Sequence, residues 1–295
     1  MPISPPRPKM PPLNSLRAFE AAARLNGISA AADELCVTPA AVAQQIKSLE
    51  AWAGEKLFKR NAQGVELTPL GTNILADFST AFDALAAAVQ KLRMSANPHE
   101  IHIAAMPSIA QLWVSPRLPA IRNEMPNVSI SVTAMEQPPN LLREPFDLAI
   151  FYEENTAVSD AIIIGRDTIY PVCSPDIAAR LNTIDDLKNE TFLHDTAWKN
   201  DWKTWLSVAS PDQNLTKSGP EFSLYSLALE ECKNGAGILI GHDALVQPQL
   251  NAGTLVAPFK IKVDLPMRLT IRPLRPFESN SSLEVIVSML AESNP

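Results

Sequence analysis

The chain has little of what builds a disulfide scaffold, a metal finger or a membrane span. Three cysteines in 295 residues, Cys36, Cys173 and Cys232, form neither an even set nor a Cys-x-x-Cys pair, so neither a disulfide framework nor a zinc site is indicated. Apolar runs such as Ala84 to Val89 and Ile162 to Ile164 stop well short of the roughly 20 residues that cross a bilayer. The first 12 residues hold six prolines and two basic residues but no apolar core of the kind export signals need, so a disordered tail on a cytoplasmic protein is expected. Of the four histidines, His99 and His102 flank a strand start with only Glu100 beside them, too few groups for a metal. Charged residues are scarce, at 19% against 46% hydrophobic, which excludes a disordered chain.

What is present is length for two or more folding units, and a charge asymmetry between them. Residues 1–95 carry ten Lys and Arg against eight Asp and Glu, a net of +2, whereas the remainder carries 15 against 24, a net of −9. An acidic body disfavours diffuse binding to nucleic acid, so any DNA contact belongs to the N-terminal segment and to placed side chains.

Residues 13 to 93 read as helical, with breaks at Asn26-Gly27, Val37-Thr38-Pro39 and Asn61 to Gly64. A first helix over Leu13 to Leu25 puts Leu16, Phe19 and Ala23 on one face. A second is expected over Ser29 to Leu35 with Ser29 as N-cap. Thr38 caps a third, with Pro39 at its first position, where a missing N–H costs nothing, and Val42, Ile46 and Leu49 turned inward. Its outward face is then Ala40, Ala43, Gln44 and Lys47. Asn61 to Leu67 reads as a hairpin with Gly64 at its tip. Thr68-Pro69 restarts a helix to about Arg93, whose stripe of Leu75, Phe78, Phe82, Leu85, Val89 and Leu92 is long enough to need a partner helix.

Beyond Ser95-Ala96-Asn97-Pro98 the pattern becomes α/β. Strands are expected at Ile101 to Ala105, Val128 to Ala134, Leu148 to Phe151, Ile162 to Ile164, Tyr170 to Cys173, Phe192 to His194, Ile238 to Ile240 and Met267 to Ile271. The chain is expected to leave one sheet near Asp167 and return near Pro266, so that the last strand and a helix over Ser281 to Leu290 rejoin the first half. Trp198, Trp202 and Trp205 are spaced to share one helical face and read as core.

Two short helices joined by a tight turn, the second bearing small and amide side chains, suit a DNA major groove. Gln44 and Gln45 are candidate readers, since an amide donates to and accepts from one adenine edge. Ala40 and Ala43 allow close approach. Lys47, Lys59 and Arg60 would hold phosphates, with Arg17 on the first helix also in reach of the backbone.

The segments Leu13 to Ala23, Ala31 to Leu35, Val37 to Val42, Gln45 to Glu50, Leu57 to Arg60 and Leu67 to Gly71 together resemble the LysR-type transcriptional regulators. Pro107-Ser108, Pro116 to Pro119, Phe146 to Ile150, Pro171 to Pro175, Leu193 to Asp195 and Ser226 to Leu229 resemble the branch containing the glycine-cleavage and β-lactamase activators. The resemblance implies a winged helix-turn-helix domain (13–67) after a tail (1–12), a linker helix (68–95) that forms a homodimer, and a periplasmic-binding-protein-like effector domain (98–295). Lobe I of that domain would span 98–167 and 267–295, and lobe II 168–266. It further implies a homotetramer, double-stranded DNA, a small-molecule effector and RNA polymerase as partners, no cofactor and no catalysis. This chain differs where the family commonly has Ser then His or Arg, carrying Ala43 and Gln44. Its uncharged Asn61-Ala62-Gln63 predicts a shallow salt dependence, and Leu224-Tyr225-Ser226 predicts a less polar pocket.

In a two-lobed α/β domain a ligand lies at the carboxyl ends of strands, facing helix N-termini. Ser108-Ile109 begins the helix after the first strand and Ser226 lies near the start of another, so both N-termini are expected to face one small carboxylate or other polar ligand. Phe151, Tyr152, Val172, His194 and Tyr225 complete the candidate lining. A redox sensor using Cys173 and Cys232 is an alternative on the same scaffold. A solute-binding protein or enzyme using the cleft alone is another, and His194-Asp195 lacks the nucleophile motif that an enzyme reading needs.

Overall fold

A computed structural model of the chain describes residues 10–61, 64–97, 99–140, 143–154, 161–211, 218–274 and 281–292. It divides into two compact units between Leu92 and Arg93.

The first unit opens with α1 (Leu13–Arg24), α2 (Ile28–Glu34) and α3 (Pro39–Ala53). Alanine dominates their contacts: Ala18, Ala21, Ala22, Ala31 and Ala32 pack with Val42 and Ile46, and such small side chains let helix axes approach closely. Both turns use left-handed residues, Asn26 after α1 and Cys36 after α2. The amides of Gly27 and Val37 then bond back to Ala22 and Ala32, which satisfies the last carbonyls of each helix. The second helix starts one residue earlier than its sequence suggests. Gly27 takes the cap position and Ser29 sits inside the first turn, with no side-chain cap bond. The Gly27 backbone is extended, so Ile28 can begin the helix and, like Leu35 and Phe58, pack against the same core.

A hairpin follows, β1 (Phe58–Asn61) antiparallel to β2 (Gly64–Leu67). Gly64 pairs with Asn61 and therefore opens the second strand rather than forming the tip; the connecting residues 62–63 lie outside the described residues. The helix α4 (Pro69–Ala96) places Ile74, Leu75, Phe78 and Phe82 against Leu16, Phe19, Leu49 and Leu57. Phe19 stands 5.5 Å from Phe58 and 5.8 Å from Phe78 in tilted and edge contacts. Farther along, the stripe turns outward: Leu85, Val89 and Leu92 are 50, 57 and 70% exposed.

The second unit contains strands β3 (Glu100–Ala105), β4 (Ser129–Ala134), β5 (Leu148–Glu154), β6 (Ile162–Val172), β7 (His194–Asp195), β8 (Glu221–Phe222), β9 (Leu239–His242) and β10 (Val263–Pro273). Its helices are α5 (Pro107–Ile109), α6 (Leu118–Glu124), α7 (Pro175–Ala178), α8 (Asp201–Ala209), α9 (Tyr225–Lys233), α10 (Asp243–Asn251) and α11 (Ser282–Glu292). One sheet runs in the order β4-β3-β5-β10-β6-β9, parallel among its first three strands and antiparallel after them, while β7 and β8 pair separately. The last helix does return to the first half, burying Leu283, Ile286, Val287 and Leu290 with Ile101, Ile103, Ile150 and Ile271. The second half has its own cluster, in which Trp202 stacks on Phe192 at 3.9 Å beside Trp205 and Ile177.

Two corrections concern how the halves join. Ile162 to Ile164 and Tyr170 to Val172 are not separate strands but parts of β6, with Cys173 in an isolated bridge to Val256, and β10 extends well beyond Met267 to Ile271. The β6 residues Gly165 to Thr168 between those two stretches stay extended where the chain passes from one half to the other. There Thr168 donates to Asp264 at 2.7 Å across the pair. The pairing is interrupted between Asp264 and Arg268, around Pro266, which has no N–H to contribute. Trp198, in turn, precedes α8 rather than sharing its face with Trp202 and Trp205, since the helix begins only at Asp201.

Candidate functional site

The third helix is presented as its sequence suggests. Thr38 Oγ1 accepts from the Ala41 amide at 3.2 Å, Pro39 occupies the first turn, and Val42, Ile46 and Leu49 are buried. Pro39, Ala40, Gln44 and Lys47 are exposed and Ala43 is half-buried, with Arg17 exposed on α1 and Ser29 exposed on α2. The two glutamines are not equivalent. Gln45 is half-buried and its Oε1 accepts from Ser15 Oγ at 2.8 Å, which turns its amide toward α1 and away from the exposed face. Of the two, Gln44 is the exposed one.

The hairpin is fixed to this helix by Glu50, which sequence reasoning missed. It is buried beyond Leu49 and accepts from the Leu57 and Phe58 amides at 3.0 and 3.2 Å and from Lys56 Nζ at 2.6 Å. Burial opposes its charge, but the Lys56 ammonium and the two amides hold the carboxyl below its ordinary value. Lys59 is exposed and pairs with Glu66 across the hairpin at 3.2 Å. Arg60 lies on β1 opposite Val65.

In the second unit the expected lining residues do not all meet. Ser108 is buried in α5 with no hydrogen-bond partner for its Oγ, and Ile109 is core. Adjacent on β5, Phe151 and Tyr152 point to opposite faces. Phe151 packs with Ala104 and Ala149, whereas Tyr152 joins the main core, so the two cannot line one surface. Val172 is wholly buried, with its carbonyl accepting from Cys232 Sγ. His194 is half-buried on β7, and Ser226 is half-buried in the first turn of α9. Tyr225 is buried, donating to the Ile240 carbonyl at 3.1 Å and accepting from the His242 amide at 3.3 Å.

Tyr152 and Tyr225 instead converge on groups the sequence did not single out. His242 ends β9 completely buried, with Nδ1 2.9 Å from both oxygens of Asp167 and Nε2 2.9 Å from Asp201 Oδ2. Burial pulls its pKa down, but the two carboxylates more than offset this and push it up to about 9, so the ring is an imidazolium donating on both sides. Around it stand Trp198 at 3.9 Å, Tyr225 at 5.6 Å and Tyr152 at 5.8 Å between ring centres. Burial and the neighbouring Asp167 charge hold the Tyr152 phenol well above its ordinary value, hence neutral. Asp195 lies beside this group. Its Oδ1 accepts from the Ala197 and Trp198 amides at 2.8 and 3.2 Å, and burial raises its pKa against those bonds. No local spacing announces these residues, because five separate segments deliver them.

Burial, followed by the Glu190 charge, pushes the Cys173 thiol up to about 12; burial does the same to Cys232. Both are poor thiolates, which counts against the redox alternative. Among the described residues no group of three or more His, Cys, Asp or Glu is placed to hold a metal ion, and no helix is long and apolar enough to cross a membrane.

Residues 13–72 match the bacterial regulatory helix-turn-helix proteins of the lysR family, and residues 96–290 match the LysR substrate binding domain. The chain is 33% identical over 255 residues to the glycine cleavage system transcriptional activator of Escherichia coli K12, covering 85% of this chain and 83% of that protein. It is 32% identical over 272 residues to the HTH-type transcriptional activator AmpR of Providencia stuartii, covering 90% and 92%. In fold it is similar to CrgA, a LysR-type regulator from Neisseria meningitidis, with a TM-score of 0.52 at 20% identity over 94% of this chain and 97% of that one. The AmpR effector domain of Pseudomonas aeruginosa gives a TM-score of 0.54 at 20% identity over 65% and 93%. This chain therefore belongs to the LysR family of transcriptional regulators, non-enzymatic proteins that join a DNA-binding helix-turn-helix domain to a two-lobed effector-binding domain.

Proposed function

We propose that this regulator reads DNA chiefly through Gln44 on α3, with Pro39, Ala40 and Ala43 giving close approach and Arg17, Lys47, Lys59 and Arg60 holding phosphates. The observation that carries this is the capped, outward face of α3, on which Gln44 and Lys47 are exposed while Gln45 is committed to Ser15. Thr38 and Ser29 act through the backbone of the turn. The protein works in the cytoplasm without a cofactor, as a homodimer formed through the exposed Leu85, Val89 and Leu92 stripe, and as a homotetramer that contacts RNA polymerase. A small effector binds between the lobes, near Ser108, Tyr152, Tyr225 and Ser226. It switches the protein only to the extent that it binds one lobe arrangement better than the other.

The test is binding of the purified protein to its own upstream DNA over a salt series, with wild type beside Gln44→Ala combined with Lys47→Ala. Saturable, salt-sensitive binding that the double variant loses is the expected result. Equal binding by both proteins would overturn the assignment of the α3 face.

A further inference from the structure

The aromatic group in the second unit is electrostatically unbalanced. Buried Asp167 and Asp195 and partly exposed Asp201 bring three carboxyl groups to one place, and among the described residues His242 is the only cation paired with any of them. Asp167 and Asp201 are committed to its two ring nitrogens. Asp195 is 5% exposed, and its Oδ2 is fully buried with no hydrogen-bond partner. Its other oxygen is pinned by two backbone amides, so the carboxyl cannot turn to find a donor without breaking them. Burial disfavours the charged form of Asp195 and raises its pKa, a cost that a bound cation would offset. A buried polar atom in that condition is costly, and natural proteins rarely leave one.

The surroundings specify what would satisfy it. The same segment that pins Asp195 carries Trp198, whose half-buried ring faces Tyr152 at 6.1 Å and Tyr225 at 5.0 Å. Tyr152 comes from the first half of the unit and Trp198 from the second, so the aromatic contact spans the two lobes. Aromatic faces beside an unpaired acid favour a cation with an N–H to donate. A hydroxyl would meet the hydrogen bond and leave the surplus negative charge. A metal ion would need more ligands than are gathered here.

We propose that the effector carries a protonated amino group, which donates to Asp195 Oδ2 and lies against the Trp198 ring. This rests on the reading of the second unit as an effector domain and names the chemistry of its ligand. Binding there ties the ligand to both lobes, through Trp198 and Asp195 on one side and Tyr152 on the other.

The experiment is thermal-shift and calorimetric titration of the full-length protein with amines, each beside its hydroxyl counterpart: alanine beside lactate, serine beside glycerate, ethanolamine beside ethylene glycol, putrescine beside butanediol. The expected result is that amine-bearing compounds bind wild type while their counterparts do not. Asp195→Asn should retain the bonds to Ala197 and Trp198 and stay folded, yet bind the amine roughly thirtyfold more weakly or worse. Binding of hydroxyl compounds as well as amines, or equal binding to wild type and Asp195→Asn, would overturn the amino-group proposal and leave the effector reading standing. If Asp195→Asn fails to fold, the paired comparison in wild type decides alone. Absence of binding by every compound of both kinds would count against the effector reading and the proposal together.

Discussion

Ser15 on α1 donates to Gln45 on α3 at 2.8 Å, and this bond divides two adjacent glutamines between different tasks. Gln45 ties the helices together; Gln44, one residue earlier, is exposed. Gln44→Ala should weaken binding to the specific operator by about 1–3 kcal/mol and leave the melting temperature unchanged. Gln45→Ala should instead cost about 1 kcal/mol of stability through the lost bond. Paired DNA titrations and melting curves check both, and an operator defect in Gln45→Ala at unchanged stability would reverse the assignment.

His242 should make stability depend on alkaline pH. Its folded pKa of about 9 lies above its ordinary value of 6.5, so the folded state holds a proton that the unfolded state releases first. The stabilisation is fully present below about pH 6.5, declines between the two values and is lost as pH rises through about 9. Its size is on the order of 3 kcal/mol. Urea unfolding of wild type and His242→Gln across that range should show the wild-type advantage shrinking as pH rises. A constant difference would mean that the ring is neutral.

Cys36 adopts a left-handed conformation with φ of 53° at the turn between α2 and α3, where a side chain is unfavourable. Cys36→Gly should stabilise the protein by about 1 kcal/mol and leave DNA affinity intact, because the side chain is exposed and no core contact is lost. Differential scanning calorimetry provides the measurement.

Gly71 sits in the first turns of α4, where an added Cβ would collide with the Leu57 carbonyl oxygen and crowd Leu67. Gly71→Ala should therefore displace the hairpin from α4 and cost about 1–3 kcal/mol. Its DNA binding should fall as well, since Lys59 and Arg60 lie on the strand that begins at Phe58. Unaltered melting and unaltered DNA binding would show that the helix can shift to make room.

The helix-turn-helix was legible because its signals are local. Thr38 and Pro39 mark a helix start, and Val42, Ile46 and Leu49 mark its buried face within a dozen residues. The bond of Gln45 to Ser15 was not legible, because its partner is 30 residues away and nothing in the heptapeptide around it records that bond. The effector region was harder for the same reason on a larger scale. Asp167 and His242 are 75 residues apart, and Asp201 is 41 from His242. Spacing alone places Trp198 on a helical face with Trp202 and Trp205, whereas Asp195 holds the Ala197 and Trp198 amides in a turn and α8 starts only at Asp201. Tyr152 and Phe151 show the remaining limit: strand alternation separates them, and only the sheet order says which face each one meets.

Cys173 and Cys232 should be silent in oxidant signalling, since both are buried and their thiols are pushed up to about 12. A variant with both replaced by Ser should keep the same ligand response and the same insensitivity to peroxide in a DNA-binding assay. Loss of a peroxide response in that variant would restore the redox reading.

The two halves of the second unit are strung on a pair of neighbouring antiparallel strands, β6 and β10, whose ladder slips beside Asp167. Such a pair resists stretching and sliding, because either would break hydrogen bonds on both sides of the slip. What it permits is torsion about its own axis where the ladder is already open, beside Asp167. A small molecule gripping both lobes would thus act as a wrench rather than a wedge, and Asp167, fastened to His242 at that axis, would bear the load.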